Sequence, residues 1–516
     1  MAKAKEATFT TMRLNTITTG GATLLTLCSA SFPALCQHKQ KAQKPNIILI
    51  MTDQQRFDAV GYANPVVITP NLDALAHDGV RFCNAYSSTP SSTPARAGLL
   101  TGQSPWRHGM LGYGQQAVRY PNEMPQLLLN AGYHTVGVGK MHWHPQRNPR
   151  GFEVLLLDES GRVESQGFQS DYRRWFAEKA PALNPDATGI GWNDHAAGIY
   201  ALPDTLHPTY WTGLAAIEKI RKSSPDKPLF LKISFARPHS PYDPPKRFLD
   251  MYANAAIPAP ATCGWDSLFK GRTGAADAAF ADLGDAYAIN SRRHYYASVT
   301  FIDEQIGQVI QALKDKGMYD SSFIIFTSDH GDMMGDHYHW RKTYAYEGSA
   351  HIPFLVKYPK GMKATVKPGS KMDIPVELRD VLPTFLDAAG APIPSEMDGV
   401  SLLNPIRSKK ASWRKYIDLE HTTTYEAANY WTALTDGKTK YIWFFDGREQ
   451  LFDLKKAPYE CNNLSSKPAH QKQLALWRER MVEHFKERGD SFVKDGKLQI
   501  RTKPLLYSPN FPKEKK

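Results

Sequence analysis

A run of hydroxyl, proline and arginine residues could place a nucleophile beside the anion-binding end of a helix. Residues 90–102 read Pro-Ser-Ser-Thr-Pro-Ala-Arg-Ala-Gly-Leu-Leu-Thr-Gly. Pro94 favours the first turn of a helix, where free N–H groups and the positive dipole end attract anions. Arg96 could stabilise an alkoxide on Ser92 and hold its geometry. The run predicts a nucleophile at Ser92, although a turn that merely caps a helix would use the same residue types.

Other polar residues stand directly after short apolar runs. They are Asp53 and Gln54 after Ile47–Met51, Lys140 after His134–Gly139, His239 after Leu229–Phe235, and Asp329 and His330 after Phe323–Phe326. In open α/β sheets, ligands bind outside the carboxyl ends of the strands, so we expect these side chains to converge. Each alone could be a solvated loop residue. Asp53 and Asp329, placed alike after two buried strands, favour a metal or catalytic role.

The apolar runs also indicate the fold class. Their hydrophobicity is continuous rather than alternating, which is typical of strands covered on both faces. Helical segments alternate with them, from Pro70 to Gly79, from Pro125 to Gly132 and from Tyr295 to Gly317. The alternation predicts an α/β fold in which a large mixed, mostly parallel sheet is sandwiched by helices.

The pattern changes from about residue 406. Short apolar strands are separated by the turn pairs Asp436-Gly437 and Asp446-Gly447, and a helical segment follows near 471–487. This predicts an antiparallel meander and a helix, hence a smaller C-terminal α+β domain. The expected organisation is a signal peptide at 1–36, a catalytic domain at 45–405, the small domain at 406–489 and an extended basic tail at 490–516, lying on the surface or partly disordered.

Composition and charge exclude several classes of protein. Of 516 residues, 42% are hydrophobic and 22% charged, which excludes collagen-like, low-complexity and disulfide-scaffold proteins. The net charge of +12 is concentrated at the two ends, since residues 1–44 and 491–516 carry +5 each. With no basic stripe in the body of the chain, we expect no nucleic-acid partner.

The N-terminus resembles an export signal. Lys3, Lys5 and Arg13 precede the apolar stretch 20–27, and small residues suited to cleavage follow. We expect export to a bacterial periplasm or secretion, with lipoprotein anchoring at Cys36 disfavoured because bulky Leu35 precedes it. No later stretch reaches 18 apolar residues, so no stable membrane insertion is expected.

Three cysteines remain beyond the predicted signal peptide. Cys83, Cys263 and Cys461 are widely spaced along the chain. Such spacing fits neither a metal motif nor a disulfide framework, so we expect buried and inert thiols.

The run at 90–102 resembles the signature of the formylglycine-dependent sulfatases, (C/S)-x-P-x-R followed by two hydrophobic residues and Thr-Gly. Further segments between residues 46 and 464 are similar to that family. The resemblance implies that a maturation enzyme oxidises Ser92 to formylglycine, whose hydrated aldehyde is the nucleophile. It also implies one Ca²⁺ ion bound by Asp53, Gln54, Ser92, Asp329 and His330. Gln54 and His330 depart from the more usual Asp and Asn. Carboxylate and amide oxygens suit a hard cation, whereas an imidazole is a softer ligand, so His330 could instead orient the nucleophile.

The resemblance assigns the remaining catalytic residues as well. Lys140, His239 and Lys342 would neutralise the sulfate oxygens, with Arg96 assisting the nucleophile. His239, with Lys342 nearby, would protonate the leaving alcohol, and His142 would drive the elimination of sulfate. No role is assigned to His144, His337 and His339.

A sulfated carbohydrate is the expected substrate of this site. Trp431, Tyr441 and Trp443 either offer aromatic faces to sugar rings or form the core of the small domain. Two other functions remain open. A two-metal phosphatase or phosphodiesterase of the same superfamily would need about twice as many metal ligands, and a silent sulfated-glycan-binding protein would keep Ser92 unmodified.

Overall fold

The computed structural model of this chain describes residues 44–512, apart from 423, 424, 427 and 428. The predicted signal peptide lies outside the described residues. Among the helices of the described part, none is long and apolar enough to cross a membrane.

A large mixed sheet forms the centre of the molecule. Its strands are β1 (Asn46–Asp53), β2 (Val80–Tyr86), β3 (His134–Gly139), β4 (Val154–Leu157), β5 (Leu229–Pro238), β6 (Ser322–Ser328), β7 (Phe354–Lys357) and β8 (Lys371–Glu377). Within the described residues their order is β4-β3-β5-β1-β6-β7-β2-β8. Only β7 runs antiparallel to its neighbours β6 and β2. The predicted mixed, mostly parallel sheet is confirmed, with β1 between β5 and β6.

Helices cover both faces of this sheet. They are α1 (Pro70–Asp78), α2 (Ser92–Thr101), α3 (Pro105–His108), α4 (Met124–Asn130), α5 (Asp171–Lys179), α6 (Pro208–Lys222), α7 (Lys246–Asp250), α8 (Asp285–Asp315), α9 (Glu347–Ala350), α10 (Val381–Ala388) and α11 (Leu403–Arg407). Alternate residues of β1 face two separate cores, with Ile47 packed on the α2 and α10 side and Ile48 on the α6 and α8 side. Both residues are fully buried, so each contributes about 1.5–3 kcal/mol to folding.

Helix α8 begins earlier than predicted. The apolar periodicity starts at Tyr295, but the helix starts at Asp285. Its first turns carry polar residues that are nevertheless buried, since Arg292 donates to Asp336 Oδ1 at 2.6 Å. A polar side chain with a buried partner gives no hydrophobic signal in the sequence.

A smaller antiparallel sheet follows the large one. It contains β9 (Ile417–His421), β10 (Trp431–Thr435), β11 (Thr439–Phe444) and β12 (Glu449–Asp453), and α12 (Gln471–Phe485) packs against it. The predicted meander and helix are confirmed, while the domain boundaries stay a prediction. Trp431, Tyr441 and Trp443 are buried in hydrophobic clusters, so the interpretation that they offer faces to a sugar is wrong.

The expectation of inert thiols is wrong for two of the three cysteines. Cys263 and Cys461 form a disulfide across a sequence separation of 198 residues, while Cys83 is free and half-buried. Close to the bond, Trp265, two residues after Cys263, donates its indole N–H at 2.8 Å to the carbonyl of Glu460, the residue before Cys461.

The basic tail is more ordered than expected. A short hairpin of β13 (Val493–Lys494) and β14 (Lys497–Leu498) comes first. The chain then returns to the catalytic region, where the Leu111 amide donates to the Leu506 carbonyl at 2.9 Å. Ser508 is buried and donates to the Trp106 carbonyl at 2.7 Å. These few hydrogen bonds hold the tail against the large domain, although most of its residues are polar.

Candidate active site

The carboxyl edge of the large sheet brings the predicted residues together. The ten residues lie as follows: Asp53 ends β1 and Gln54 follows it, Lys140 and His142 follow β3, His239 follows β5, Asp329 and His330 follow β6, Ser92 and Arg96 lie on α2, and Lys342 lies on the loop before α9. All ten side chains are buried. Convergence at a strand edge is the arrangement that the sequence predicted.

Ser92 is the first residue of α2 and is fully buried. Its Oγ lies 3.3 Å from Asp53 Oδ2 and 3.1 Å from His330 Nε2. The ring nitrogen Nδ1 of His330 contacts the Gly331 carbonyl at 2.9 Å, which places its hydrogen on Nδ1. The Nε2 lone pair therefore faces Ser92, so His330 can orient the residue at position 92.

Arg96 clamps the two carboxylates rather than contacting Ser92. Its Nε donates to Asp329 Oδ2 at 2.8 Å and its Nη2 to Asp53 Oδ2 at 3.1 Å. Its Nη1 donates to the Lys140 carbonyl at 2.6 Å. A planar guanidinium with fixed donors thus holds both aspartates in one orientation.

Asp53 is the most heavily paired carboxylate of the site. Its Oδ2 accepts a contact from Lys140 Nζ at 2.6 Å in addition to Arg96. Burial alone would raise the pKa of Asp53, but Lys140, His239 and Arg96 outweigh burial and hold the pKa well below its usual value. Asp53 is therefore ionised at neutral pH and can bind a cation.

The side chains at this strand edge can be compared with the ligands that a divalent cation prefers. Ligand atoms of Asp53, Asp329 and His330 all lie within 4.8 Å of one another. The Gln54 side-chain N–H donates to Asp332 Oδ2 at 2.6 Å, while its amide oxygen is buried without a hydrogen-bond partner among the described residues. An unpaired buried oxygen is costly, and two carboxylates plus an amide oxygen are the donors a hard cation prefers. The residues fit a divalent cation.

His239 and Lys342 form a buried pair. Lys342 Nζ lies 2.9 Å from His239 Nε2, and His239 Nδ1 lies 2.9 Å from the Ser240 carbonyl. The imidazole therefore carries its own hydrogen on Nδ1 and accepts from the ammonium at Nε2. Burial lowers the pKa of Lys342 to about 7, and burial together with Lys342 holds the pKa of His239 well below its usual value. The pair shares one readily transferred proton near neutral pH.

His142 makes no hydrogen bond with Ser92 within the described residues. Its Nδ1 lies 3.1 Å from Arg162 Nη1, which can only donate, so the hydrogen of the neutral ring is on Nε2. That Nε2 is 3.4 Å from Glu164 Oε1 and makes no hydrogen bond in the part of the chain that the structure describes. The backbone of His142 is left-handed, with φ of 57°, and its N–H donates to Glu159 Oε1 at 2.9 Å.

The three histidines without a predicted role lie outside the reacting centre. His337 pairs with Asp266 at 2.7 Å. His339 packs edge-on against Phe280, with ring centres 4.5 Å apart. His144 borders a separate cavity of about 300 Å³ that also reaches His142.

Sequence reasoning missed two residues that shape the site, Asp332 and His421. Asp332 accepts from Gln54, from Tyr242 Oη at 2.7 Å and from the backbone of Arg341 at 2.9 Å. Ser91 Oγ lies 2.9 Å from Nε2 of His421, a residue of the small sheet. Asp332 is only three residues beyond the predicted Asp329, and that proximity in sequence was the one available signal. His421 lies too far along the chain to be found by spacing.

A cavity of about 710 Å³ opens above these residues. Lys140, His142, His239 and Lys342 lie in its wall, and Tyr113, Trp192 and Tyr425 add aromatic surface. Its volume is in the range of pockets that enclose a small organic ligand. The buried lysines can bind the negative charge of an anionic ester, and the pair of His239 and Lys342 can protonate its leaving group. The site therefore suits an anionic ester whose leaving group needs a proton.

Comparison with known proteins agrees with this chemistry. The family model described as Sulfatase matches residues 45–391, and that described as N-sulphoglucosamine sulphohydrolase, C-terminal, matches residues 335–487. An arylsulfatase of Clostridium perfringens is 37% identical over 474 residues, covering 88% of this chain and 97% of that protein. An N-acetylglucosamine-6-O-sulfatase of Bacteroides thetaiotaomicron is 27% identical over 530 residues, covering 90% and 91%.

A solved structure shares the fold as well. A phosphonate monoester hydrolase of Agrobacterium radiobacter superposes with a TM-score of 0.73 at 24% identity, covering 86% of this chain and 96% of that one. The family model spans the large sheet and its carboxyl edge, and the likeness to the arylsulfatase extends over nearly all of both chains. This chain therefore belongs to the sulfatase family, and it is a sulfuric ester hydrolase.

Proposed function

We propose that this sulfatase removes sulfate from a sulfated glycan by means of a formylglycine formed from Ser92 by a maturation enzyme. The observation that carries the proposal is the position of Ser92. It is fully buried at the start of α2, between Asp53 and His330, and its neighbour Ser91 lines the 710 Å³ cavity together with Lys140 and His239. An ordinary serine sulfate would have no internal route to release sulfate, whereas a hydrated aldehyde has a second hydroxyl.

A calcium ion would be held by Asp53, Gln54, Asp329, His330 and the oxygen of residue 92. When bound it supplies positive charge beside the sulfate, which favours the transition state. Arg96 keeps the two aspartates aligned for this purpose, because it donates to both of them.

In the first step one hydroxyl of the hydrated residue 92 gives its proton to Asp53, whose Oδ2 lies 3.3 Å from Ser92 Oγ, and its oxygen attacks sulfur while the bond from sulfur to the leaving oxygen breaks. Lys140 and Lys342 neutralise the sulfate oxygens. The pair of His239 and Lys342 gives its shared proton to the leaving oxygen, which departs as an alcohol. Such general acid assistance contributes typically about 10²–10⁴-fold.

In the second step the remaining hydroxyl of residue 92 loses its proton to His142. Its oxygen forms the carbonyl double bond, the carbon–oxygen bond to the sulfate breaks, and the aldehyde is restored. The accepting atom is Nδ1, the nitrogen to which Arg162 donates at 3.1 Å. His142 thus becomes a base when Arg162 gives up that hydrogen bond.

Two observations support a glycan as the substrate. The cavity combines cations with the aromatic side chains Tyr113, Trp192 and Tyr425, which can pack on sugar rings. The N-acetylglucosamine-6-O-sulfatase and the matched C-terminal family model are named for sulfated sugars. The aromatic surface comes from loops around the cavity rather than from the small sheet.

We further propose that the protein is exported to a periplasm or secreted. The N-terminal pattern of a basic segment followed by an apolar stretch supports export. The disulfide between Cys263 and Cys461 supports it independently, since disulfides persist mainly in oxidising compartments.

The test is sulfate release from a panel of defined sulfated mono- and disaccharides, with Ser92→Ala as the matched control. We expect release by the wild type and a loss of turnover in Ser92→Ala with the fold unchanged by circular dichroism. Retention of more than a few per cent of the activity in the variant would refute the role of Ser92. Binding without release would indicate a silent glycan-binding protein, and preferred hydrolysis of phosphate esters with two bound zinc ions would indicate a phosphatase.

A further inference from the structure

The lysine and arginine side chains in the cavity wall differ in their partners. Within the described residues the wall contains Lys140, Arg162, Arg272, Arg341 and Lys342. Lys140 contacts Asp53 at 2.6 Å, Arg162 contacts Glu159 at 3.0 Å, and Arg272 contacts Glu426. Lys342 and Arg341 have no carboxylate oxygen within 4.0 Å among the described residues. Lys342 contacts His239 and has a role in the proposed reaction. Among these five side chains, Arg341 is therefore the one that has neither a carboxylate partner among the described residues nor a role in that reaction.

Arg341 is only 5% exposed, yet its side chain is poorly satisfied. One terminal N–H donates to the Asp277 carbonyl, and Nε is buried without a hydrogen-bond partner among the residues that the structure describes. The guanidinium lies over the Tyr425 ring, 4.9 Å from its centre. A buried cation without an anionic partner is unfavourable, and a bound anion would relieve the cost.

The backbone of Arg341 is strained. Its φ is 64°, in the left-handed region that residues other than glycine rarely adopt. The Arg341 N–H donates to Asp332 Oδ1 at 2.9 Å, and Asp332 also holds Gln54 and Tyr242. This bend allows Arg341 and its neighbour Lys342 to line the same cavity. Strained conformations of this kind persist at sites where geometry matters for function.

We propose that Arg341 is a specificity-determining residue that binds a second anionic group, a sulfate or a carboxylate, on the sugar whose sulfate ester reacts at residue 92. The inference rests on the proposed function and narrows its substrate to sugars with at least two negative charges. Lys342 meets the sulfate that is cleaved, while the planar guanidinium of Arg341 can bind a second oxyanion through paired hydrogen bonds. The Tyr425 ring packs against this guanidinium in the same cavity wall.

The test measures affinity in the Ser92→Ala protein, which binds without turnover. Calorimetry compares a monosulfated sugar with the same sugar carrying either a second sulfate or a carboxylate. We expect one of these added groups to raise affinity by about 10- to 100-fold. Adding Arg341→Gln should abolish that gain and leave the affinity for the monosulfated sugar nearly unchanged. Which added group produces the gain identifies the second anion.

Arg272→Gln is the matched control, because Arg272 lines the same cavity but is paired with Glu426. It should retain the preference for the second anion. Loss of the preference in Arg272→Gln rather than in Arg341→Gln, or no preference in the parent protein, would overturn the inference. Equal weakening of every ligand by Arg341→Gln would also overturn it and leave the proposed function intact. Failure of the wild type to bind or hydrolyse any sulfated sugar would instead refute the proposed function, and the inference with it.

Discussion

Removal of the disulfide between Cys263 and Cys461 should destabilise the protein strongly. The bond closes a loop with a sequence separation of 198 residues. The loop-closure entropy for that length gives about 5 kcal/mol, an upper value because the unfolded chain keeps some structure. Contacts around the bond persist without it, such as the ring of Trp265 against Tyr346 at 5.1 Å. The loss should therefore appear as lower stability rather than as a different fold.

Thermal unfolding of a Cys263→Ser/Cys461→Ser variant is the assay. For a chain of this size about 5 kcal/mol corresponds to a decrease in Tm of about 5 °C. Reductant should lower the Tm of the wild type to that of the variant and leave the variant unchanged. Cys83→Ser, at the free thiol, is the control and should respond to reductant as the wild type does. A wild-type Tm insensitive to reductant and equal to that of the double variant would refute the reasoning.

Four further predictions concern catalysis. His239→Ala should slow hydrolysis of a sugar sulfate by about 10²–10⁴-fold but that of an activated aryl sulfate far less, and equal losses would contradict the acid role. His142→Ala should accumulate a sulfated residue 92 with either substrate, which mass spectrometry would detect as an adduct of about 80 Da. Accumulation of this adduct in His239→Ala instead would show that the roles of the two histidines are reversed. Burial lowers the pKa of Lys342 to about 7, and an acid must be protonated to act, so the rate of sulfate release from a sugar should fall as pH rises through about 7. A rate that rises over this range would contradict the proposal that His239 and Lys342 supply the proton. Asp329→Asn should lose one bound divalent cation by elemental analysis, together with activity, and unchanged metal content would exclude Asp329 as a ligand.

The elements that could be predicted from sequence are those with a continuous local signal. The run Ile47–Met51 is buried on both faces, and its composition indicates that directly. Both ends of helix α1 are indicated in the sequence, the start by Pro70 and the end by Gly79. The strand-edge rule predicts that Asp53 and Asp329 lie together, and their ligand atoms do lie within 4.8 Å of each other.

Long-range partners could not be predicted in this way. Arg96 was expected beside the nucleophile, but its donors are taken by Asp53, Asp329 and the Lys140 carbonyl, a choice that depends on how three strands end. Cys263 and Cys461 are separated by 198 residues in sequence, and their pairing depends on where the small sheet packs, which the spacing of the cysteines does not indicate. The left-handed backbone at Arg341 is set by Asp332 nine residues earlier, which no propensity of arginine indicates.

The central claim is that residue 92 is a formylglycine in the working enzyme. The most direct measurement is the mass, with fragmentation, of the tryptic peptide 82–96 from protein of known specific activity. The account predicts a peptide lighter than the unmodified sequence by about 2 Da, or its hydrate, with the change located at Ser92 and its proportion rising in step with sulfate release. Full activity in protein whose Ser92 peptide has only the unmodified mass would contradict it.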